Sequence, residues 1–596
     1  MKKRVFTFLL AFVFSVLWVG GPLDGVAGDV LASAQMAFAD GLMADYSADV
    51  VVIGAGAAGM PAALEAFANG AENVVVLESM SHVGGSALLI LGGMSAADTR
   101  YTEPGSDPWE NMAEEARALG HTNLPYLIEI VAQNSGEALH WLNDLGAGFS
   151  HQFVPGMRMF FPLTTPGPAL ISALYGALAD NNIPVMLNTR ATEILVDEDG
   201  AVIGVVAERG GQQVRIATTS VVLATGGFGA DLPWVLELAP EYTGFATVAH
   251  PGNRGDGIRM AEALGADTTH MEYMSIHHVV EPTLGHLYPA GIRDQGGIII
   301  NRAGERIVNE NAATSEITEA MLAYSVTAGR ATSFVIFDQR IREAVPGIES
   351  HIRMDLVTTG DTVAELAASL RVDPEALEAT ITRYNELASA VEDADFGRPE
   401  ASLHVLEGPF YASVIVPAIF STLGGIRISP NAQVLRVDDS VVTGLFAAGE
   451  VIGGIHGRNR GGGHAITEAA VFGRIAGESA ANFARDNAGF TERTIFLAEE
   501  VAVVPQVQGN FTDGIFEGSA RGHNGRLTVS VSVENNNIVA IDLTDHQETA
   551  FMYQAAHQSV ANQIIKTQSL AGIDVATGAT ITSFAILLAV NNALAD

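Results

Sequence analysis

The apolar pattern of the chain opens on short, unbroken runs that end in glycine. Val50–Ile53 is a continuous β-branched run of the kind buried on both faces of a parallel sheet, and it stops at Gly54-Ala-Gly56-Ala-Ala58-Gly59. A helix-like stretch follows, then a second run, Val74-Val-Val-Leu77, closed by Glu78. The same strand-then-glycine pattern returns at Val221-Val-Leu-Ala224-Thr-Gly226-Gly and at Gly444-Leu-Phe-Ala-Ala-Gly449-Glu450. Two separated pieces of one sheet therefore bracket an insert, expected over 247–404. His250-Pro-Gly-Asn-Arg-Gly-Asp256-Gly is expected to turn the chain back into the sheet. Residues 108–145 read as covering helices, and 191–208 as alternating strands around an Asp-Glu-Asp-Gly turn. Past residue 486 a linker leads to alternating runs at 527–533 and 538–543, a module long enough to fold alone.

The glycines after the first run have distinct tasks. The first allows a sharp turn, the second lets a pyrophosphate approach the backbone, and the third lets the helix pack against the strand with its N–H groups facing the phosphates. Glu78, 19 residues beyond Gly59, stands where a carboxylate accepts hydrogen bonds from a ribose. An acid there argues against a 2′-phosphorylated cofactor and leaves FAD and NAD open.

Composition narrows the picture. With 596 residues, 48% hydrophobic and 17% charged, the chain is long enough for three or four domains. A net charge of −37 argues against nucleic acid and anionic membrane surfaces as partners, so an anionic substrate needs a local arginine cluster. There is no cysteine, which excludes disulfides, thiolate-ligated iron–sulfur clusters and Cys-x-x-Cys-His haem attachment, and nothing in the sequence points to a metal. Met1-Lys-Lys-Arg4, an apolar run over 5–19 and the triplets Ala32-Ser-Ala34 and Ala37-Phe-Ala39 form an export signal over 1–39. The body of the protein is expected outside the cytoplasmic membrane, possible anchoring by this segment included. Soluble NAD(P)H would not reach it there.

The set Gly54-x-Gly56-x-x-Gly59, Gly84-Gly85, Ala224-Thr-Gly226-Gly, Ala447-Ala-Gly449-Glu450 and Gly453-Gly-Ile-His-Gly-Arg-Asn-Arg460-Gly-Gly-Gly-His-Ala465 resembles the soluble fumarate reductase and urocanate reductase group of FAD-dependent flavoproteins, over about 49–484. The resemblance implies an α/β fold: a doubly wound FAD-binding domain at 49–246 and 405–485 with an inserted α+β capping domain at 247–404. It places non-covalent FAD against Gly54, Gly56, Ala58, Gly59, Glu78, Gly84, Gly85, Ser86, Gly92, Gly93, Ala224, Gly226, Asp256, Gly449, Glu450, Ala465 and Ile466. After the linker 486–508, residues 509–596 resemble a small α+β FMN-binding domain. Asp574-Val-Ala-Thr577-Gly578-Ala579-Thr580 looks like the site where a flavinyl transferase esterifies FMN onto Thr580, and a threonine at a helix start also suits a phosphate.

The family's catalytic set transfers only in part. Arg460 falls on the arginine that grips a substrate carboxylate, His277 on a substrate-binding histidine, and Arg293 on an arginine of the proton-delivery chain. The arginine proton donor is Thr314, the pair that grips a second carboxylate is Pro289-Ala290, and a histidine before Gly424-Gly425 is Phe420. These departures, with Phe160-Phe161 nearby, point away from fumarate toward one anionic or carbonyl head and a bulkier tail. Tyr288 is the first choice of donor, with His286 and His278 as alternatives. The expected function is an exported reductase taking electrons from a membrane or extracellular donor, through FMN to FAD, to the C=C bond of an α,β-unsaturated acid or carbonyl compound in anaerobic respiration. A ketone or ketosteroid dehydrogenase and a non-catalytic electron carrier are the alternatives.

Overall fold

The computed structural model describes residues 44–487, apart from 91, 151, 155–157, 164–165, 283–284, 286, 290, 313, 325, 328–329 and 346, and in the C-terminal part 512–521, 526–546, 557, 560–566, 568, 586–587, 589–590 and 592–594. The export signal, the linker from residue 488 on, His286, Ala290 and Thr577 to Thr580 lie outside the described residues; the first two linker residues, Asp486 and Asn487, instead end helix His464–Asn487.

The β-branched runs form the centre of a six-stranded sheet in the order Gln433–Leu435, Val441–Ala447, Val221–Leu223, Val50–Ile53, Val74–Leu77, Val185–Met186. All neighbours are parallel except the first pair, and Val51 faces Val221 while Val50 faces Val74. Every residue of Val50–Ile53 and Val74–Leu77 is buried, as continuous apolar strands covered on both faces require. Helix Gly59–Ala68 lies on this sheet, and the alanine-rich helix His464–Asn487 packs against it. The alternating stretch is an antiparallel ladder of Thr189–Val196, Val202–Arg209 and Gln212–Ala217. The covering helices are Trp109–Gly120 and Pro125–Asp144.

A second, largely antiparallel sheet is built around the 13-residue strand Phe410–Thr422. Its partners include Ser333–Asp338, Met274–Val280 and Thr358–Gly360, with Ile298–Ile300 beyond Ser333–Asp338. A separate core draws on residues 279 to 415. Strand Phe410–Thr422 begins in that core and reaches the core of the first sheet with Ile419, so one element joins the two. The loop at His250 does not return to the sheet as a strand: it leads into helix Asp256–Glu262. Under the capping core a buried cation–anion network ties Glu310 to Arg306 and Arg398, and Arg306 to Asp393. The C-terminal part shows a meander of Gly514–Arg521, Arg526–Glu534 and Asn537–His546, with Val560, Ile564, Ile586 and Val590 in its core.

Candidate active site

The glycine turn opens a cleft enclosing about 1400 Å³ of space, open to solvent. Gly54 has φ +108°, and a Cβ there would stand 2.3 Å from the Ala224 carbonyl oxygen. A Cβ on Gly59 would stand 1.8 Å from the Gly54 carbonyl oxygen, so strand, turn and helix close on one another as a phosphate cradle requires. Gly54, Gly56 and Ala58 line the cleft, as do Gly84, Gly85 and Ser86 opposite them. Ala224, Gly226 and Asp256 form another wall; Gly449, Glu450, Ala465 and Ile466 complete it. Gly59 lies beneath the cradle. Gly92 and Gly93 do not line the cleft: Gly93 is pressed against the Phe160 carbonyl, 2.5 Å from where its Cβ would be, and a Cβ on Gly92 would meet Met159 Cε at 4.0 Å.

Glu78 ends its strand with a buried carboxylate that accepts from the Ala55 N–H at 2.9 Å and the Met80 N–H at 2.8 Å. Burial pushes its carboxyl above the usual range, and the backbone donors oppose that. The carboxylate keeps acceptor capacity for a ribose. Sequence reading missed Asn253, whose amide donates to Ser86 Oγ at 3.0 Å and to Glu450 Oε2 at 3.1 Å, joining two loops across the cleft. It also missed Arg190, which grips Asp256 through Nε at 2.8 Å and Nη2 at 2.6 Å. Asn253 lies in the same short motif as Asp256, so its proximity was available; nothing in the sequence links Arg190 to it.

One end of the cleft has a different chemistry. Arg460, half-buried, lines it together with Phe420, Thr422, Glu450, His456 and Glu468. Among the described residues the Arg460 guanidinium has no hydrogen-bond or ion-pair partner; only its backbone N–H is used, toward Asn459 Oδ1 at 2.9 Å. Burial pulls its pKa down while the charges of Glu450 and Glu468 support it. Glu450, half-buried in the cleft wall, accepts from the Thr422 N–H at 3.0 Å and is pushed up to about 7, burial outweighing that bond and the Arg460 charge. His456 Nε2 and Glu468 Oε2 stand 2.6 Å apart. Glu468 is three residues beyond Ala465 on one helix, a spacing that brings both to the same face.

Neither His277 nor Arg293 lines the cleft; His277 stands beside it, its half-buried ring 6.3 Å from that of Phe420, and burial together with the Arg293 charge pulls it down to about 4. Arg293 donates from Nη1 to the Glu310 carbonyl at 2.8 Å and leaves Nε without a partner. The structure does not bring Tyr288 to the cleft. It is 2% exposed in the capping core, its hydroxyl donates to the Leu356 carbonyl at 3.1 Å, and burial pushes it up to about 12. That commitment corrects its choice as proton donor. Thr314 is the exposed first residue of helix Thr314–Tyr324, and Phe160 is buried with its ring stacked 4.6 Å from Phe153.

A glycine-cradled dinucleotide cleft, bordered by the end of strand Phe410–Thr422 and carrying an arginine without a partner among the described residues, fits a flavin-dependent oxidoreductase. The chain belongs to the FAD binding domain family, which it matches over residues 49–466, and an FMN-binding domain matches over 522–595. It is 34% identical over 451 residues to "Fumarate reductase (cytochrome)" of Shewanella frigidimarina, covering 74% of this chain and 78% of that protein. It is 32% identical over 468 residues to "Urocanate reductase" of Eggerthella lenta, covering 75% and 76%. The fold is similar to the open conformation of a flavocytochrome c3 fumarate reductase, with a TM-score of 0.69 and 31% identity over 78% of this chain and 82% of that one. The chain is thus a fumarate/urocanate reductase-like FAD-dependent oxidoreductase, of a family that acts on C=C bonds.

Proposed function

We propose that this protein reduces the C=C bond of an α,β-unsaturated carboxylate that carries one anionic head and a bulky, uncharged tail. The observation that carries this reading is the Arg460 guanidinium, half-buried in the same cleft as the glycine cradle and without a partner among the described residues. A planar fork held there grips a carboxylate through two parallel hydrogen bonds and fixes its orientation. Gly54, Gly56, Glu78 and Ser86 would hold FAD, which when reduced would supply the hydride for the β-carbon. Phe420 sets the shape of the tail pocket, and Glu450, tied to Thr422 and Asn253, holds the loop that carries it. Pro289 and Ala290 offer no group for a second carboxylate, which supports a substrate other than fumarate.

FMN, which a flavinyl transferase would attach at Thr580, would take in electrons from a membrane or extracellular donor. The basic start, apolar run and small-residue triplets of 1–39 support export. Among the described residues no helix is long and apolar enough to cross a membrane. Steady-state oxidation of reduced methyl viologen by the purified flavinylated protein tests the substrate class across fumarate, urocanate, cinnamate, acrylate and an enone steroid. Cinnamate-type acids are expected to outrun fumarate. Turnover with none of them, together with reduction of the oxidised protein by a saturated ketosteroid, would replace this reading by the dehydrogenase.

A further inference from the structure

The strand Met274–Val280 runs antiparallel to Phe410–Thr422, and its register slips twice. Between Ser275 and Ile276 the partner strand carries an extra residue, Phe420; between His277 and Val280 the extra residue is on this strand. A regular strand sends neighbouring side chains to opposite faces. The second bulge cancels that alternation. The His277 and His278 rings lie on one side, centroids 5.8 Å apart and planes 14° from parallel.

The pair is short of partners. His278 is 3% exposed, and neither of its ring nitrogens has a hydrogen bond; Arg293 Nε, buried nearby, has none either. Such groups cost roughly 1–3 kcal/mol each when left unpaired, so a site that keeps three of them holds them for something that arrives. The Val279 N–H donates to His277 Nδ1 at 3.4 Å, which leaves the proton of the neutral ring on Nε2.

We propose that His277 Nε2 delivers the proton that completes C=C reduction and that His278 behind it reloads it, the pair taking up one proton when a carboxylate binds beside Arg460 and Arg293. This rests on the reading of the substrate as an unsaturated carboxylate. In the step, the Nε2–H bond of an imidazolium breaks and a C–H bond forms at the α-carbon. The electron pair comes from the former C=C bond, the flavin is the reductant, and the imidazolium returns to a neutral ring. The charges around the pair explain why loading waits for substrate. Burial and the Arg293 cation hold both rings neutral when no anion is present. Helix Gly291–Asp294 contributes Arg293 and the exposed Asp294. Helix Thr314–Tyr324 turns Ile317, Thr318 and Met321 inward and keeps Glu316, Glu319 and Tyr324 exposed. Strand Phe410–Thr422 carries Tyr411, but in the capping core, stacked 5.4 Å from Phe337. Glu281, just past the strand's own end, acts on Tyr288 and His351. A bound carboxylate therefore brings the countercharge that the pair lacks.

Calorimetric titration of cinnamate into the oxidised, FAD- and FMN-loaded protein, in phosphate and in Tris at neutral pH, measures the coupled proton directly. One proton taken up per site is expected, and none for each cinnamate that still binds in the double variant His277→Asn, His278→Asn. Without any variant, cinnamate affinity should tighten about tenfold per pH unit as pH falls from about 7.5 to about 6. Equal heats in both buffers, a flat affinity profile, or full uptake in the double variant would overturn the relay. No binding of cinnamate, fumarate, urocanate or acrylate would instead overturn the carboxylate reading beneath it.

Discussion

Arg460 and Tyr288 show how local chemistry separates two residues that both looked catalytic in the sequence. Arg460 has a guanidinium without a partner in the cleft; the Tyr288 hydroxyl is already spent on Leu356. Removing a buried charge that pairs with a substrate anion costs a few kcal/mol. Arg460→Ala should therefore lower kcat/KM for a carboxylate substrate on the order of 100-fold, measured by viologen oxidation. Tyr288→Phe should leave kcat/KM nearly unchanged and cost roughly 1 kcal/mol of stability by denaturant unfolding, the worth of one hydrogen bond. Glu450 makes a pH prediction. Its carboxyl is raised to about 7 in the folded protein from an ordinary value of 4.5, so the folded state holds the proton more tightly. Its contribution is full below about pH 4.5 and is lost as pH rises through about 7. Thermal unfolding of the flavin-free protein should show stability falling across that window, and Glu450→Gln should flatten that fall.

Secondary structure was legible in the sequence wherever the apolar pattern was continuous. The runs Val50–Ile53, Val74–Leu77 and Val221–Leu223 are neighbouring buried strands because a parallel sheet flanked by helices covers such runs on both faces. Gly59 was legible too, since helix and strand approach too closely for any Cβ. Gly92 and Gly93 were not: a glycine pair near a cofactor turn looks the same whether it faces the cofactor or a neighbouring strand. Gly59→Ala should abolish FAD retention, whereas Gly92→Ala should keep it, read from bound flavin after gel filtration. The bulges in Met274–Val280 were also invisible, because register is set by the partner strand and not by the residues that slip. That is why His278, one residue from His277, reads in sequence as the opposite face.

At the scale of the whole molecule, strand Phe410–Thr422 carries Phe420 and Thr422 from the capping core to the cleft, so pocket shape and domain placement are set by one element. The sequence showed the two halves of the flavin sheet and the C-terminal module as separate pieces, but that Phe420 shares the cleft with Arg460 and borders the His277 ring, with Arg293 close to that ring, is a property of the folded chain alone. Thr580 belongs to this scale as well. Thr580→Ala should remove the covalent FMN from the C-terminal peptide by mass spectrometry. The central claim is that Arg460 orients an unsaturated carboxylate for reduction. Its most direct test is anaerobic stopped-flow mixing of the chemically reduced protein with cinnamate, following flavin absorbance. The account predicts rapid FAD reoxidation in the parent protein, with 3-phenylpropionate as product, and its near loss in Arg460→Ala. Reoxidation that is unaffected by Arg460→Ala would contradict it.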